Sequence, residues 1–439
     1  MSNNYAGKFV SAETAVKAVQ PGDWVDYGFG AGFPELLDRA LAARRDELTD
    51  VKIRGGLVIR PRIEVVESDP DQKAFSYYSW HIGDYERKLQ TRGLCKFMPM
   101  MLRSLPEMYR HHIRVDVAFV PVSRPDADGC CGLGISNYAW RTIFENARTV
   151  IFEINERLPR LQGVDGSHRV HLSEADFIVE GEHEPLPIRT YRDPSAIDIE
   201  IAKRVVEEIP DGAVLSLGVG GVPFTVANML AQSDKTDLGC HTGTISDAFL
   251  ALHKAGKLTN KKKEIDNGYS TWNLAMGSQE LYDWLDNEPQ LFHPADVDYV
   301  HSPYRIGEMK NVISINGGVE LDLMGQENAE SAGTRQLSGI GGQMDIASKL
   351  SREAISTRNW SDTNPDPLLA RLEDELRDNI NKLGLGAAGT GGDTVCLAVK
   401  IGTAATHTAI APVAINFHCW VARRAGIRMY NDGRIEKLL

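Results

Sequence analysis

Two short stretches carry residue types and spacings that could do chemistry. The first, Gly218-Val219-Gly220-Gly221-Val222-Pro223, is a glycine turn between an apolar strand, Ala213-Val214-Leu215-Ser216-Leu217, and a helical run to Gln232. Such a turn brings a row of backbone N–H groups to the positive end of a helix, with Pro223 expected at the first helical position. It suits a phosphate or a developing oxyanion. Glycine turns between strand and helix occur in any α/β domain, so this one gains meaning only from its neighbours. The second stretch follows the helix and reads Leu238-Gly239-Cys240-His241-Thr242-Gly243-Thr244.

Other groupings say less. His111, His112, Cys130 and Cys131 are metal-ligating types, yet they fall on separate elements and read as packing and surface residues. Residues 129–134, Gly-Cys-Cys-Gly-Leu-Gly, lack a full G-x-G-x-x-G context and read as a tight turn lining the cleft between domains. Lys261-Lys262-Lys263 is either a local basic patch for a polyanionic cofactor or a solvated turn after a helix ending at Leu258-Thr259-Asn260. With no Cys-x-x-Cys pair, no structural zinc site or other metal is expected, and six cysteines in 439 residues fit reduced thiols.

The elements that must position these stretches are written twice. Residues 12–19 read as an amphipathic helix, Pro21-Gly22-Asp23 as a turn and Trp24-Val25-Asp26-Tyr27 as a strand. Gly28-Phe29-Gly30-Ala31-Gly32-Phe33-Pro34 and a helix over 35–43 follow. In the second half the stripe Ile197, Ile201, Val205, Ile209 marks a helix, Pro210-Asp211-Gly212 turns, and the strand, glycine turn and Pro223 follow. A spacing of about 190 residues is far too long for a solenoid, so the fold class is α/β, with two related open-sheet domains. Strands over 51–54, 115–120 and 149–155, with a helix over 97–104, fit a parallel or mixed sheet with crossovers. The polar stretch 181–187 is the expected linker, and the second domain opens near Asp198.

Composition bounds the function. The chain has 42% hydrophobic and 25% charged residues, an ordinary globular balance, and a net charge of −12. That charge argues against nucleic acid or an anionic membrane as partner. No run of eighteen apolar residues and no signal-like start are present, so a cytoplasmic home is expected.

The two stretches, with Lys261-Lys262-Lys263, Trp272-Asn273-Leu274-Ala275-Met276-Gly277-Ser278, Val312-Ile313-Ser314-Ile315-Asn316, Asp322-Leu323-Met324-Gly325-Gln326 and Ser338-Gly339-Ile340-Gly341-Gly342-Gln343, resemble the family I coenzyme A transferases. The likeness is greatest to the butyryl-CoA:acetate and 4-hydroxybutyrate CoA-transferase branch and covers residues 1–343. It implies an N-terminal domain over 1–187, a C-terminal one over 188–343 and a homo-oligomer. It also implies a ping-pong exchange between a short-chain acyl-CoA and a carboxylate such as acetate, with coenzyme A as substrate and no permanently bound cofactor. In that family a glutamate after the His-Thr pair attacks the thioester to form a mixed anhydride, which the released thiolate opens. Here the position is Gly243. The resemblance makes Gly218, Val219, Gly220, Gly221 and Val222 contacts to coenzyme A and the oxyanion, and 339–343, with Gly341, Gly342 and Gln343, a second glycine-rich contact. Glu327 and Glu330 lie in a further matching block, Glu330 as a candidate for the acyl pocket, and Asp247 is expected to be a helix-capping or structural acid.

Residues 344–439 break the pattern. Asp366, Pro367, the stripe Leu368, Leu372, Leu376, Ile380 and the stop at Gly384 predict a helix. His407, Pro412-Val413-Ala414-Ile415 and Cys419 are similar to the α-part of the class I iron–sulfur hydro-lyases, the fumarase and tartrate dehydratase group. Cys419 matches one cluster ligand, while the upstream cysteine motifs that supply the others are absent, and one ligand does not hold a cluster. The leading expectation is therefore a CoA-transferase-type protein impaired at Gly243. The alternatives are a hydro-lyase fragment and a non-catalytic CoA-binding protein.

Overall fold

The computed structural model describes residues 3–60, 62–321 and 327–347, with the backbone of the strands Thr394–Ile401, Ile415–Arg423, Ile427–Met429 and Ile435–Lys437 further on. The helix expected from Asp366, the block 322–326 and His407 lie outside the described residues.

The first half contributes β1 (Trp24–Phe29), β2 (Val51–Gly56), β3 (Phe75–Ser79), β4 (Cys95–Phe97), β5 (Val117–Val122), β6 (Cys130–Gly132), β7 (Thr149–Ile154), β8 (Arg169–His171) and β9 (Phe177–Glu180). Seven of them form a parallel sheet in the order β4-β3-β2-β1-β5-β7-β9. The second half contributes β10 (Val214–Leu217), β11 (Gly239–Ile245), β12 (Ser270–Ala275), β13 (Phe292–Pro294) and β14 (Val312–Gly318), parallel in the order β13-β12-β11-β10-β14. The repeated module of the sequence is thus a repeated sheet. The second sheet is extended by Ile415–Arg423, parallel to β14, and by Thr394–Ile401, antiparallel to that strand.

Burial explains the strand sequences. β5, β10 and β12 are buried at every position, as befits strands of a parallel sheet covered on both faces. The two halves share core: Leu274, Met276 and Val297 pack with Phe29, Trp80 and Tyr138 of the first. Residues 181–195 carry no helix or strand, as expected of a connection. The helix Ala196–Glu208 then opens the second half, capped by Ser195, whose Oγ accepts from the Asp198 N–H at 3.2 Å while Asp198 Oδ2 accepts from the Ser195 N–H at 2.8 Å.

Several local expectations are corrected. Residues 97–104 hold the end of β4 and a 3-10 turn, Leu102–Ser104, and the α-helix is Leu105–His111, with Pro106 in its first turn. Residues 129–134 do not line the main cleft, because β6 pairs antiparallel with β8 to make a separate ribbon. The helix after the glycine turn starts at Gly221, two residues before Pro223. The helix before Lys261 ends at Lys254.

Candidate functional site

In the second sheet the chain runs outward from β10 through β11, β12 and β13, then returns to β10's other side as β14. The carboxyl ends beside such a reversal form a crevice in open parallel sheets. Here the crevice is a cleft of about 340 Å³ at the ends of β10, β11, β12 and β14. Gly218, Val219, Thr242, Gly243 and Thr244 line it from the second half, and Phe29, Leu57 and His81 from the first.

The expected contacts divide. Gly218, Val219, Gly341, Gly342 and Gln343 all line the cleft with Gly243. Gly220, Gly221 and Val222 do not: Gly220 is the N-cap of the helix Gly221–Gln232, and the Val222 side chain is buried in the core beneath. Among the described residues no side chain caps that helix at Gly220, which suits its amide end to an anion. Gly218 is required by close approach, since a Cβ there would meet Asn316 Oδ1 at 2.7 Å. Thr242 ties the two strands' ends together, its Oγ1 donating to the Leu217 carbonyl at 3.3 Å. Asp247 is the first residue of its helix, and its carboxylate accepts from Ser278 N–H at 3.0 Å, so it holds the start of the next helix rather than its own.

Residues 337–347 close the cleft by reaching across to the first sheet. Arg87 Nη1 donates to the Leu337 carbonyl at 2.5 Å, His81 Nε2 lies 3.3 Å from Ser338 Oγ, and Met101 bridges to Gly341. Asp345, fully buried, accepts from the Arg103 N–H at 3.2 Å. Gln343 Nε2 donates to Glu327 Oε1 at 2.8 Å. Glu330 is not among the lining residues, whereas its neighbour Ala329 is.

The floor beside Gly243 is made by an imidazole that the sequence did not single out. His241 and Gly243 share one face of β11. His241 Nε2 lies 2.8 Å from the Val300 carbonyl, which brings the next residue, His301, against Gly243. A Cβ at Gly243 would meet His301 Cε1 at 2.9 Å and Nε2 at 3.0 Å, and one at Gly342 would meet Cε1 at 2.0 Å. His301 Nε2 is 3.1 Å from Asn273 Oδ1, and Nδ1 is 4.0 Å from Asp345 Oδ2. Burial pushes His301 down to about 3, His241 and His81 down to about 4, and Asp345 up to about 6. At neutral pH the three imidazoles are uncharged.

Lys263 does not serve the cleft. It is buried, and its Nζ donates to the carbonyls of Cys240 (2.8 Å) and Tyr269 (2.7 Å) and to Thr271 Oγ1 (2.9 Å), so the basic patch reading fails for it. Burial lowers it to about 8. Arg189 does line the cleft. Neither it nor His81, Asn273, His301 and Asp345 was reached from sequence spacing, since each comes from a different element. Only Trp272-Asn273, at the end of an apolar strand, carried a signal. Among the described residues no three His, Cys, Asp or Glu side chains gather as metal ligands, and no helix is long and apolar enough to cross a membrane.

Comparison with known proteins accounts for this architecture. The family model for the acetyl-CoA hydrolase/transferase N-terminal domain matches residues 1–189, and that for its C-terminal domain residues 277–358. A probable butyrate:acetyl-CoA coenzyme A-transferase of Syntrophomonas wolfei is 40% identical over 343 residues, 78% of this chain and 76% of that protein. A butyryl-CoA:acetate CoA-transferase of Anaerostipes caccae is 41% identical over 345 residues, again 78% and 76%. Among solved structures, RipA from Yersinia pestis superposes with a TM-score of 0.71 at 30% identity, covering 79% of each chain. A 4-hydroxybutyrate CoA-transferase from Porphyromonas gingivalis gives 0.59 at 28% identity over 77% of this chain and 80% of that one. The tail has a different likeness: the fumarate hydratase family model matches residues 338–428. A putative L(+)-tartrate dehydratase α-subunit of Methanocaldococcus jannaschii is 44% identical over 97 residues, 22% of this chain and 34% of that protein.

Proposed function

The chain belongs to the acetyl-CoA hydrolase/transferase family, and on that footing we propose that its cleft binds a short-chain acyl-CoA such as butyryl-CoA and that its transfer of coenzyme A to acetate is impaired. Gly218 and Val219 meet the thioester oxygen and coenzyme A, with the amide end of Gly221–Gln232 behind them. Gly341, Gly342 and Gln343 meet it from the opposite wall. The observation that carries the reading is that both glycine segments and residue 243 line one cleft, and that residue 243 has no side chain. Among the described residues the acid that lines this cleft is Asp84, which is exposed and paired with Arg87, so it is poorly placed to attack.

The same reading takes the halves as domains over 1–187 and 188–343, followed by a hydro-lyase-like segment over 344–439, in a cytoplasmic homo-oligomer with no permanently bound cofactor. The experiment restores the acid with room for it, as Gly243→Glu combined with His301→Ala, and follows label exchange between acetate and butyryl-CoA. Exchange should rise at least about 100-fold over the wild type, the scale of a recovered catalytic group. A wild type that exchanges label as fast as the restored variant would overturn the impairment. Failure of the wild type to bind butyryl-CoA by calorimetry would overturn the site.

A further inference from the structure

We propose that Asn273 is a catalytic residue of this cleft: its side-chain amide donates a hydrogen bond to the thioester oxygen of bound acyl-CoA, and His301 is the positioning residue that aims it. The inference rests on the reading that the cleft takes acyl-CoA.

Asn273 is a carboxamide in β12, a strand buried at every position, where it stands between Trp272 and Leu274 with 2% of its surface exposed. Burying a carboxamide costs free energy unless its oxygen and its nitrogen both find partners. The oxygen has one: Oδ1 lies 3.1 Å from His301 Nε2. The nitrogen donates to no group among the described residues, and it is open to the cleft that Asn273 lines. A ligand in the cleft supplies the acceptor that the protein does not.

The partner of Oδ1 decides which way round the amide sits. An amide oxygen only accepts, so His301 Nε2 carries the ring hydrogen and donates to it. Burial keeps the ring neutral, with that one N–H. The ring is held in turn: its backbone N–H donates to the Val297 carbonyl at 2.8 Å, and Gly243 and Gly342 pack against it. Turning the carboxamide over would set its NH2 against the His301 N–H, two donors face to face, so Nδ2 stays directed at the cleft. The strand is fixed as well, the Asn273 carbonyl accepting from the Asn137 N–H at 2.8 Å.

Asn273 stands at the reacting centre. β11 lies between β10 and β12, and the pairing of Thr242 with Trp272 and of Thr244 with Leu274 sets Gly243 level with Asn273 on one face of the sheet. A Cβ at residue 243 would lie 3.7 Å from Asn273 Oδ1. A thioester carbonyl above Gly243 therefore has the amides at Gly218 and Val219 on the β10 side and Asn273 on the β12 side. A carbonyl oxygen has two lone pairs in the plane of its substituents, so it accepts from both flanks at once. When the carbonyl carbon is attacked, the electron pair of the C=O bond moves onto this oxygen, and donors already in place hold that charge without reorganising. The other amide nitrogens on the cleft wall, Asn316 Nδ2 and Gln343 Nε2, are turned to Ser314 Oγ at 2.7 Å and Glu327 Oε1 at 2.8 Å.

The test uses the full chain and needs no turnover. Butyryl-CoA labelled with ¹³C at the carbonyl is bound and its C=O stretch read by isotope-edited infrared spectroscopy. Calorimetry measures its affinity and that of free coenzyme A, which has no acyl carbonyl. In the wild type the bound band should lie below that of free butyryl-CoA. Asn273→Asp keeps the volume and still accepts from His301 but offers no N–H. It should return the band part of the way and weaken butyryl-CoA about 10-fold, with coenzyme A unchanged. Asn273→Ala serves if the aspartate variant does not fold. His301→Gln, which still donates to Oδ1, should keep the band shift, and His301→Met should lose part of it; equal bands in these two overturn the positioning role. An Asn273 variant with the wild-type band and affinity overturns the proposal, and so does equal weakening of butyryl-CoA and coenzyme A. A wild type that binds butyryl-CoA with its band unshifted overturns the hydrogen bond alone. Absence of binding sinks the reading of the cleft as well.

Discussion

Replacing Gly243 by alanine should destabilise this protein, the opposite of what the substitution does at an unstrained site. Gly243 has no positive φ, so alanine suits its backbone and would ordinarily add about 0.4–1 kcal/mol by restricting the unfolded chain. Here the new methyl lies 2.9 Å from His301 Cε1 and 3.0 Å from Nε2, against about 3.5–4.0 Å for a comfortable contact. The ring cannot simply retreat, because Gly342 packs on its other side, Asn273 holds Nε2 and Val297 holds its backbone. Overpacking of this kind costs about 1–3 kcal/mol, which outweighs the backbone gain. Chemical denaturation of Gly243→Ala should therefore give a lower midpoint at an unchanged slope. The double variant Gly243→Ala with His301→Ala should show a coupling of about 1–2 kcal/mol, because the second change removes the ring that the first one strikes. Gly243→Glu alone should be destabilised in the same way and remain poor in CoA transfer. If Gly243→Ala is as stable as the wild type or more so, or if the two changes are additive, the imidazole does not fill the place of the side chain.

Three more outcomes follow from the same contacts. Lys263→Met removes three donors from buried acceptors, the carbonyls of Cys240 and Tyr269 and the Thr271 hydroxyl, and should cost about 2–4 kcal/mol in a urea titration without changing acyl-CoA affinity. Arg87→Ala frees the Leu337 carbonyl and loosens the wall that carries Gly341 to Gln343, so KM for acyl-CoA should rise roughly 5- to 10-fold, an effect of about 1 kcal/mol. His301 has a folded value near 3, below its ordinary 6.5, so the unfolded chain binds the extra proton and stability is lost as pH falls from 6.5 toward 3. Asp345 is raised from 3.8 to about 6 and opposes this slope between those values. His301→Asn should flatten the acid limb of stability against pH by up to about 3 kcal/mol at pH 4, and an unchanged limb would count against a buried neutral ring.

The sequence made the doubled module legible because each copy repeats strong local signals: a helix stripe, a Pro-Gly-Asp or Pro-Asp-Gly turn, an apolar strand and a glycine turn. Those signals placed Gly218, Val219 and Gly243 at strand ends, and strand ends in a parallel sheet share one crevice. Start points were less legible. Pro223 reads as a first helical residue, yet Gly220 and Gly221 turn early enough to begin the helix before it. Lys263 reads as one of three surface lysines, and only the tertiary fold shows three oxygen acceptors closing around it. Charge runs report composition; whether a member is buried depends on the strands that pass beneath it.

The residue packed against Gly243 was hidden for a related reason. His301 follows a short helix and precedes Ser302-Pro303, where a histidine reads as an ordinary surface or capping residue. It becomes a site residue through three contacts distant in sequence: His241 pulls on Val300, Gly243 yields space, and Asp345 arrives from the far end of the cleft-closing segment. A missing nucleophile, seen alone, argues for decay. Seen with the ring packed against it, and with a second glycine at 342 against the same ring, it marks a place where a new side chain has no room. An unfilled place at residue 243 predicts no coupling between residues 243 and 301. A filled one predicts contact and coupling, and the contact is present.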